Sequence, residues 1–179
     1  MKRRIFLNIN KGIRRRLQYI INLVKYRNQN IIGLKYANIE KNVIIKTNKN
    51  GKIIFKGGLT LRTGCELFAD GGTIEVGSGC YLNRNNIIVS HEKIAIHNGS
   101  TIGPFCMIYD HDHDIYEKGQ YNCSPVVIEN NCWIGGNTTI LRGTTIGESS
   151  IIAASSLVNM DICKHSLFYN KREKIVIHL

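Results

Sequence analysis

Asp110, His111, Asp112, His113 and Asp114 alternate carboxylate and imidazole over consecutive positions. An imidazole titrates near neutral pH, so it can take the proton of an attacking hydroxyl, a service worth about 10²–10⁴-fold in rate. A carboxylate on the other ring nitrogen fixes the tautomer that leaves the basic nitrogen free. The residues alone leave open which histidine serves, or whether both are solvated side chains of a surface turn. They lie in the stretch YDHDHDIYEKGQYNCS, from Tyr109 to Ser124, just before Pro125. A long stretch leaving a rigid scaffold is where function is expected.

That scaffold is legible as a repeat. Ile128, Ile134, Ile140, Ile146, Ile152 and Val158 fall six positions apart, a period that neither a helix nor an alternating strand keeps. Four residues after each of the first five comes a small side chain: Cys132, Thr138, Thr144, Ser150 and Ser156. Short strands and tight turns, stacked coil on coil, place the aliphatic residues in one continuous interior. The register recurs upstream at Ile96, Ile102 and Ile108, at Val76, Leu82 and Ile88, and at Leu61 and Leu67, with Ile39 and Ile45 as a ragged beginning. Ile128 follows Ile108 by 20 positions where six would continue the repeat. The fold predicted is an all-β solenoid with a loop extruded at 109–124.

The cysteines fit this reading. Cys65, Cys80, Cys106 and Cys132 occupy the small position of the repeat, where a thiol packs as a compact hydrophobe. Cys123 and Cys163 lie outside it, and no pair has C-x-x-C spacing. Neither a disulfide framework nor a zinc cluster is expected, and a reducing cytosol suits this usage.

A hydrophobic content of 43% with 21% charged residues is that of a globular domain. No apolar run approaches membrane-spanning length, and the start lacks the apolar core of a signal peptide, so a cytoplasmic location is expected. The net charge of +11 is unevenly placed: ten of the 24 basic residues precede Glu40, the first acid. The remaining body is close to neutral, which argues against a nucleic-acid partner. Ile5, Ile9, Ile13, Leu17, Ile20, Ile21 and Val24 recur at helical spacing among these cations, with Gly12 as a weak point. Such a helix can cap the open end of a solenoid. It can also dock on an anionic membrane, where each Lys or Arg near the lipid is worth about 1 kcal/mol. A mixed role turns the apolar face inward and the cations toward lipid. The expected division is a basic amphipathic helical segment over 1–35, the solenoid over 36–162 and a C-terminal tail over 163–179.

The segment VVIENNCWIGGNTTILRGTTIGESSIIAASSLV, residues 126–158, resembles the repeat region of the hexapeptide-repeat, left-handed parallel β-helix acyltransferases. Nearest in pattern are the maltose and galactoside acetyltransferases and the O-acetyltransferases of capsule and lipopolysaccharide synthesis. The resemblance spans residues 59–179 and adds little before them. It implies acetyl-CoA as co-substrate, no metal, a saccharide hydroxyl of a surface polysaccharide or its precursor as acceptor, and a homotrimer with active sites between subunits.

The resemblance also assigns residues. The family's catalytic histidine opens the equivalent loop, which implies His111 as general base, with His113 and Asp110 as candidate helpers. The stretch CYLNRN, 80–85, resembles the one whose asparagine holds the acceptor sugar, which points to Asn83. The other role for Asn83 is a turn residue bonding its own backbone. Trp133, Gly136, Ala154 and Asn159 match positions that meet CoA, and Lys174 matches the basic residue that meets the nucleotide phosphates. Trp133, the only tryptophan, falls at a repeat position that points outward.

Two departures mark the C-terminal end. Asn159-Met160 stands where the family has Thr-Lys, and YNKREK, 169–174, replaces a closing A-G-x-P-A-K segment. Lys171 and Arg172 can supply cations there. Two other classes stay open. The γ-type carbonic anhydrases share the fold and hold a metal with histidines, for which His91, His97, His111 and His113 could serve, although no H-x4-H pair is present. The other is a non-catalytic solenoid scaffold.

Overall fold

The computed structural model describes residues 16–171, and over them the six-residue period becomes a three-sided parallel β-solenoid. Expectations for residues 1–15, and for Arg172 and Lys174, lie outside the described residues. The first face stacks Ile31–Ile32, Lys52–Phe55, Thr73–Val76, Lys93–Ile96, Val126–Ile128 and Thr145–Ile146. The second stacks Ala37–Ile39, Leu59–Leu61, Tyr81–Leu82, Thr101–Ile102, Trp133–Ile134, Ile151–Ile152 and Leu167–Phe168. The third stacks Ile44–Asn48, Glu66–Asp70, Ile87–Ser90, Met107–Tyr109, Thr139–Ile140 and Leu157–Val158.

One hexapeptide per face explains the period. Ile128, Ile134 and Ile140 come from the three faces of one coil, Ile146, Ile152 and Val158 from those of the next, and all six are fully buried. Burying such a side chain contributes roughly 1.5–3 kcal/mol, so a polar substitution at any of them would break the stack locally. The small position turns inward too: Cys106 and Cys132 aim their thiols at the carbonyls of Gly135 and Gly147, each at 3.2 Å. Burial raises the pKa of both, and of Cys65 and Cys80, which keeps them as neutral thiols.

Folding three strands into so short a coil demands left-handed backbone at the corners. Between the second and third faces that residue is Gly64, Asn85, Phe105, Asn137 and Ser155 in successive coils. Glycine and asparagine tolerate this region; a bulky aromatic does so only at a cost. Phe105 stands there with φ 59° and its ring exposed.

Both expected boundaries move outward. Ile31 and Ile32 already pair with Ile53 and Ile54, so the solenoid starts before residue 36. The chain then turns at Gly33, whose φ of 77° suits glycine. At the other end Leu167 and Phe168 pair with Ile151 and Ile152, so the second face continues into the segment expected as a tail.

The helix, described over 16–25, corrects the expected cap more deeply. Its apolar side chains do not face the solenoid: Leu17, Ile20, Ile21 and Val24 are exposed. Cover for the first coil comes from Asn22 and Tyr26, both buried, with the Tyr26 hydroxyl donating to the Val43 carbonyl at 2.9 Å. A tyrosine can bury its ring and still find a partner for its hydroxyl, which a purely apolar stripe cannot do for that carbonyl.

Candidate active site

The chain leaves the solenoid at the corner between third and first faces, just after the strand Met107–Tyr109. The first residue out, Asp110, is fully buried. Its Oδ2 accepts from the Ser90 hydroxyl at 2.6 Å and the Glu92 N–H at 2.9 Å. Its Oδ1 accepts from the His91 N–H at 2.8 Å and lies 3.1 Å from Nδ1 of His111. A carboxylate only accepts, so it holds the proton on Nδ1 and leaves the lone pair on Nε2. Ser90, His91 and Glu92 belong to the same corner one coil earlier. The stacking itself brings them to Asp110.

The extruded segment is not a bare loop. His111–His113 and Tyr121–Cys123 pair as an antiparallel hairpin, His111 opposite Cys123 and His113 opposite Tyr121. Strand alternation then sends His111 and His113 to one side and Asp112 to the other. On that other side Asp112 Oδ2 meets Arg142 Nε at 2.6 Å, which ties the hairpin to the corner of the following coil. Asp114 closes the turn: its Oδ1 accepts from the N–H groups of Tyr116 and Glu117, at 2.7 and 2.9 Å. Those bonds, Glu117 foremost, lower the Asp114 pKa. The aspartates thus have separate tasks: one aligns a histidine, one anchors the hairpin, one shapes its tip.

Two residues not anticipated as catalytic complete the cluster. The His91 ring lies 4.1 Å from that of His111 at 62°, and 4.1 Å from that of Tyr121. Tyr121 also approaches His113 at 4.9 Å, so it sits among three imidazoles. Burial is the main cause of a lowered pKa at His91, with the neighbouring His111 next; Asp70 and Asp110 oppose it. His113 itself is exposed, with its ring against Tyr121. The signal for His91 was present in the repeat, which stacks it one coil before Asp110. Tyr121 had none, because the hairpin register is not periodic.

The remaining candidates are distributed around the prism. Asn83 is half-buried at the corner between second and third faces, and its Oδ1 accepts from the Arg84 N–H at 2.9 Å, the turn role open to it from the sequence. Gly136 and Ala154 belong to that same corner in later coils. Trp133 stands on the outer surface of the second face, 56% exposed, in register with Ile151 and through it Leu167, both also exposed. Asn159 is exposed at the corner of His111, two coils further on. His97 lies at the remaining corner, away from His91 and His111. Among the described residues no group of three or more His, Cys, Asp or Glu side chains converges as metal ligands.

Residues 125–159 match the family model described as bacterial transferase hexapeptide (six repeats). The repeat and the faces it builds make this a hexapeptide-repeat β-solenoid. Among curated proteins, a putative acetyltransferase of Saccharomyces cerevisiae is 38% identical over 96 residues, 51% of this chain and 49% of that protein. A galactoside O-acetyltransferase of Escherichia coli is 33% identical over 99 residues, 53% of this chain and 49% of the relative. The chain thus spans about half the length of the curated relatives it matches. A hexapeptide-repeat acetyltransferase of Vibrio cholerae, solved with acetyl coenzyme A, superposes with a TM-score of 0.59 at 30% identity over 64% of each chain. An N-acyltransferase of Bacillus cereus shares the fold at a TM-score of 0.70, with 18% identity over 82% of this chain and 81% of that one.

Proposed function

We propose that this chain is an acetyl-CoA-dependent O-acetyltransferase that uses His111 as general base on a saccharide hydroxyl. One observation carries the reading: the Asp110–His111 pair, 3.1 Å apart, stands at the root of a hairpin on a solenoid of this kind. Acetyl-CoA supplies an acetyl group already activated as a thioester. His111 Nε2 takes the proton of the acceptor hydroxyl as its oxygen attacks the acetyl carbon, then returns that proton to the departing thiol sulfur. Asp110 steadies the imidazolium formed in between, and Tyr121 and His91 limit the ring's rotation.

The chain's own residues suit the CoA arm. Trp133 offers an exposed aromatic face, and the corner beside it is built to be narrow: a Cβ on Gly135 would come within 2.4 Å of the Ala154 nitrogen. Gly136 and Ala154 leave backbone within reach of an extended ligand, and Asn159 is open. Within one chain these groups and His111 occupy different faces or levels of the prism, whereas catalysis needs them together. A homotrimer, in which the hairpin of one subunit meets the second face of the next, supplies that meeting. The exposed column Trp133, Ile151 and Leu167 is a fitting contact for it. The galactoside O-acetyltransferase relative supports the acceptor class of this reading, a surface glycan or its precursor in the cytoplasm, for which Asn83 is the candidate contact.

Purified protein incubated with acetyl-CoA and a panel of saccharides should release CoA thiol only with a subset of acceptors. It should also melt at higher temperature with acetyl-CoA, because a ligand of the folded state alone shifts unfolding by mass action. No thiol release with any acceptor, together with no thermal shift, would remove this reading.

A further inference from the structure

The helix over 16–25 is mounted with its polar side inward. Tyr26 still bonds Asn22 as the next turn, Gln18 Nε2 donates to Asn22 Oδ1 at 3.2 Å, and Lys25 Nζ donates to the Val43 carbonyl at 2.7 Å. At about 100° per residue, the centre of the Leu17, Ile20, Ile21 and Val24 stripe lies about 170° around the axis from Asn22 and Tyr26. These four side chains are 57%, 56%, 48% and 64% exposed. A stripe of helical spacing, on the side opposite the docked one, has no partner within the chain's described residues.

We propose that this stripe is a lipid-docking face that takes the surface of an anionic bilayer, independently of the reaction assigned above. The occupant is chosen by charge. Arg16 and Arg27 are exposed and flank the stripe, and ten cations but no acid precede Glu40. A second copy laid on the same stripe would bring two strongly basic segments together. Anionic headgroups would neutralise them while the aliphatic side chains enter the acyl boundary. Among the described residues no helix is long and apolar enough to cross a membrane, so the contact would be peripheral.

Flotation of the full chain with phosphatidylcholine vesicles, with and without phosphatidylglycerol, tests this. Retention should need phosphatidylglycerol and should fall between about 0.1 M and about 1 M salt, as the screening length shrinks from about 10 Å to about 3 Å. Ile21→Asp with Val24→Asp, and separately Arg16→Gln with Arg27→Gln, should each lower the bound fraction about tenfold. Solution mass and melting temperature should not change. No retention on the anionic vesicles, or equal and salt-insensitive retention on neutral ones, would overturn the proposal. So would an aspartate variant with an altered oligomeric mass, which would make the stripe a contact between copies.

Discussion

The rings of His91 and His111 pack edge to face with centroids 4.1 Å apart, and both residues bond the same buried carboxylate, one through its backbone and one through its ring. Two imidazolium ions at that distance would repel, and burial already holds His91 toward its neutral form. Of the two rings, His111 is the one that Asp110 aligns, and His91 packs against it.

His111→Ala should reduce transfer by about 10²–10⁴-fold, while the thermal response to acetyl-CoA remains, because only the proton transfer is lost. His113→Ala, which removes an exposed ring without a carboxylate partner, should lower turnover far less. Steady-state rates for the two variants decide the matter. Near-full turnover without His111, or greater sensitivity at position 113, would contradict the assignment.

Asp110→Asn keeps the shape but replaces an acceptor-only group with one that also donates. Whichever oxygen becomes the amide nitrogen, a backbone N–H, that of His91 or that of Glu92, then loses its acceptor, at about 1–3 kcal/mol for a buried group left unsatisfied. Denaturant unfolding should show that loss, and turnover should fall as the tautomer of His111 is no longer held. A variant as stable and as active as the parent would show that the carboxylate neither holds this corner together nor aligns His111.

The His91 pKa lies below the usual histidine value of 6.5. As pH falls through 6.5 the unfolded chain takes up this proton before the folded one does. Folding stability should therefore decline from about neutral pH downward, with no contribution from this group above that range. His91→Gln should flatten the acid-side slope in unfolding midpoints measured across pH. An unchanged slope would place the titration elsewhere.

Phe105 holds a left-handed backbone at an exposed corner where Asn85 and Asn137 do so in the coils before and after. Phe105→Asn should raise stability by about 1 kcal/mol, since asparagine visits that region more readily. A loss of stability on thermal melting would mean that the ring is packed rather than carried at a cost.

Much of this architecture can be read from the chain because hexapeptide spacing is a direct image of one strand per face. Ile128 to Val158 declare the faces, and Cys106 and Cys132 mark the inward small position. What escaped was set by contacts without a period. The seating of the helix depends on buried Asn22 and on the bonds from Lys25 and Tyr26 to the Val43 carbonyl, whereas the stripe of Leu17 and Ile21 suggests the opposite face. At the candidate site, Asp110 and His111 were adjacent and therefore visible. The partnership of His111 with Tyr121 depends on a hairpin register that only the folded segment reveals.

The hairpin enters and leaves at one corner without disturbing the stack beneath it. Ile94, Ala95 and Ile96 pair with Val126, Val127 and Ile128 across the insertion, in the same manner as Thr73–Val76 pairs with Lys93–Ile96 below. Length and composition between Asp112 and Asn122 are thereby uncoupled from the strand register. Such a segment can be lengthened, shortened or exchanged between related chains by cut-and-paste, leaving Asp110 and His111 rooted in the same corner. A chimaera that transplants only the residues between Asp112 and Asn122 should therefore keep the paired strands on either side of the insertion intact.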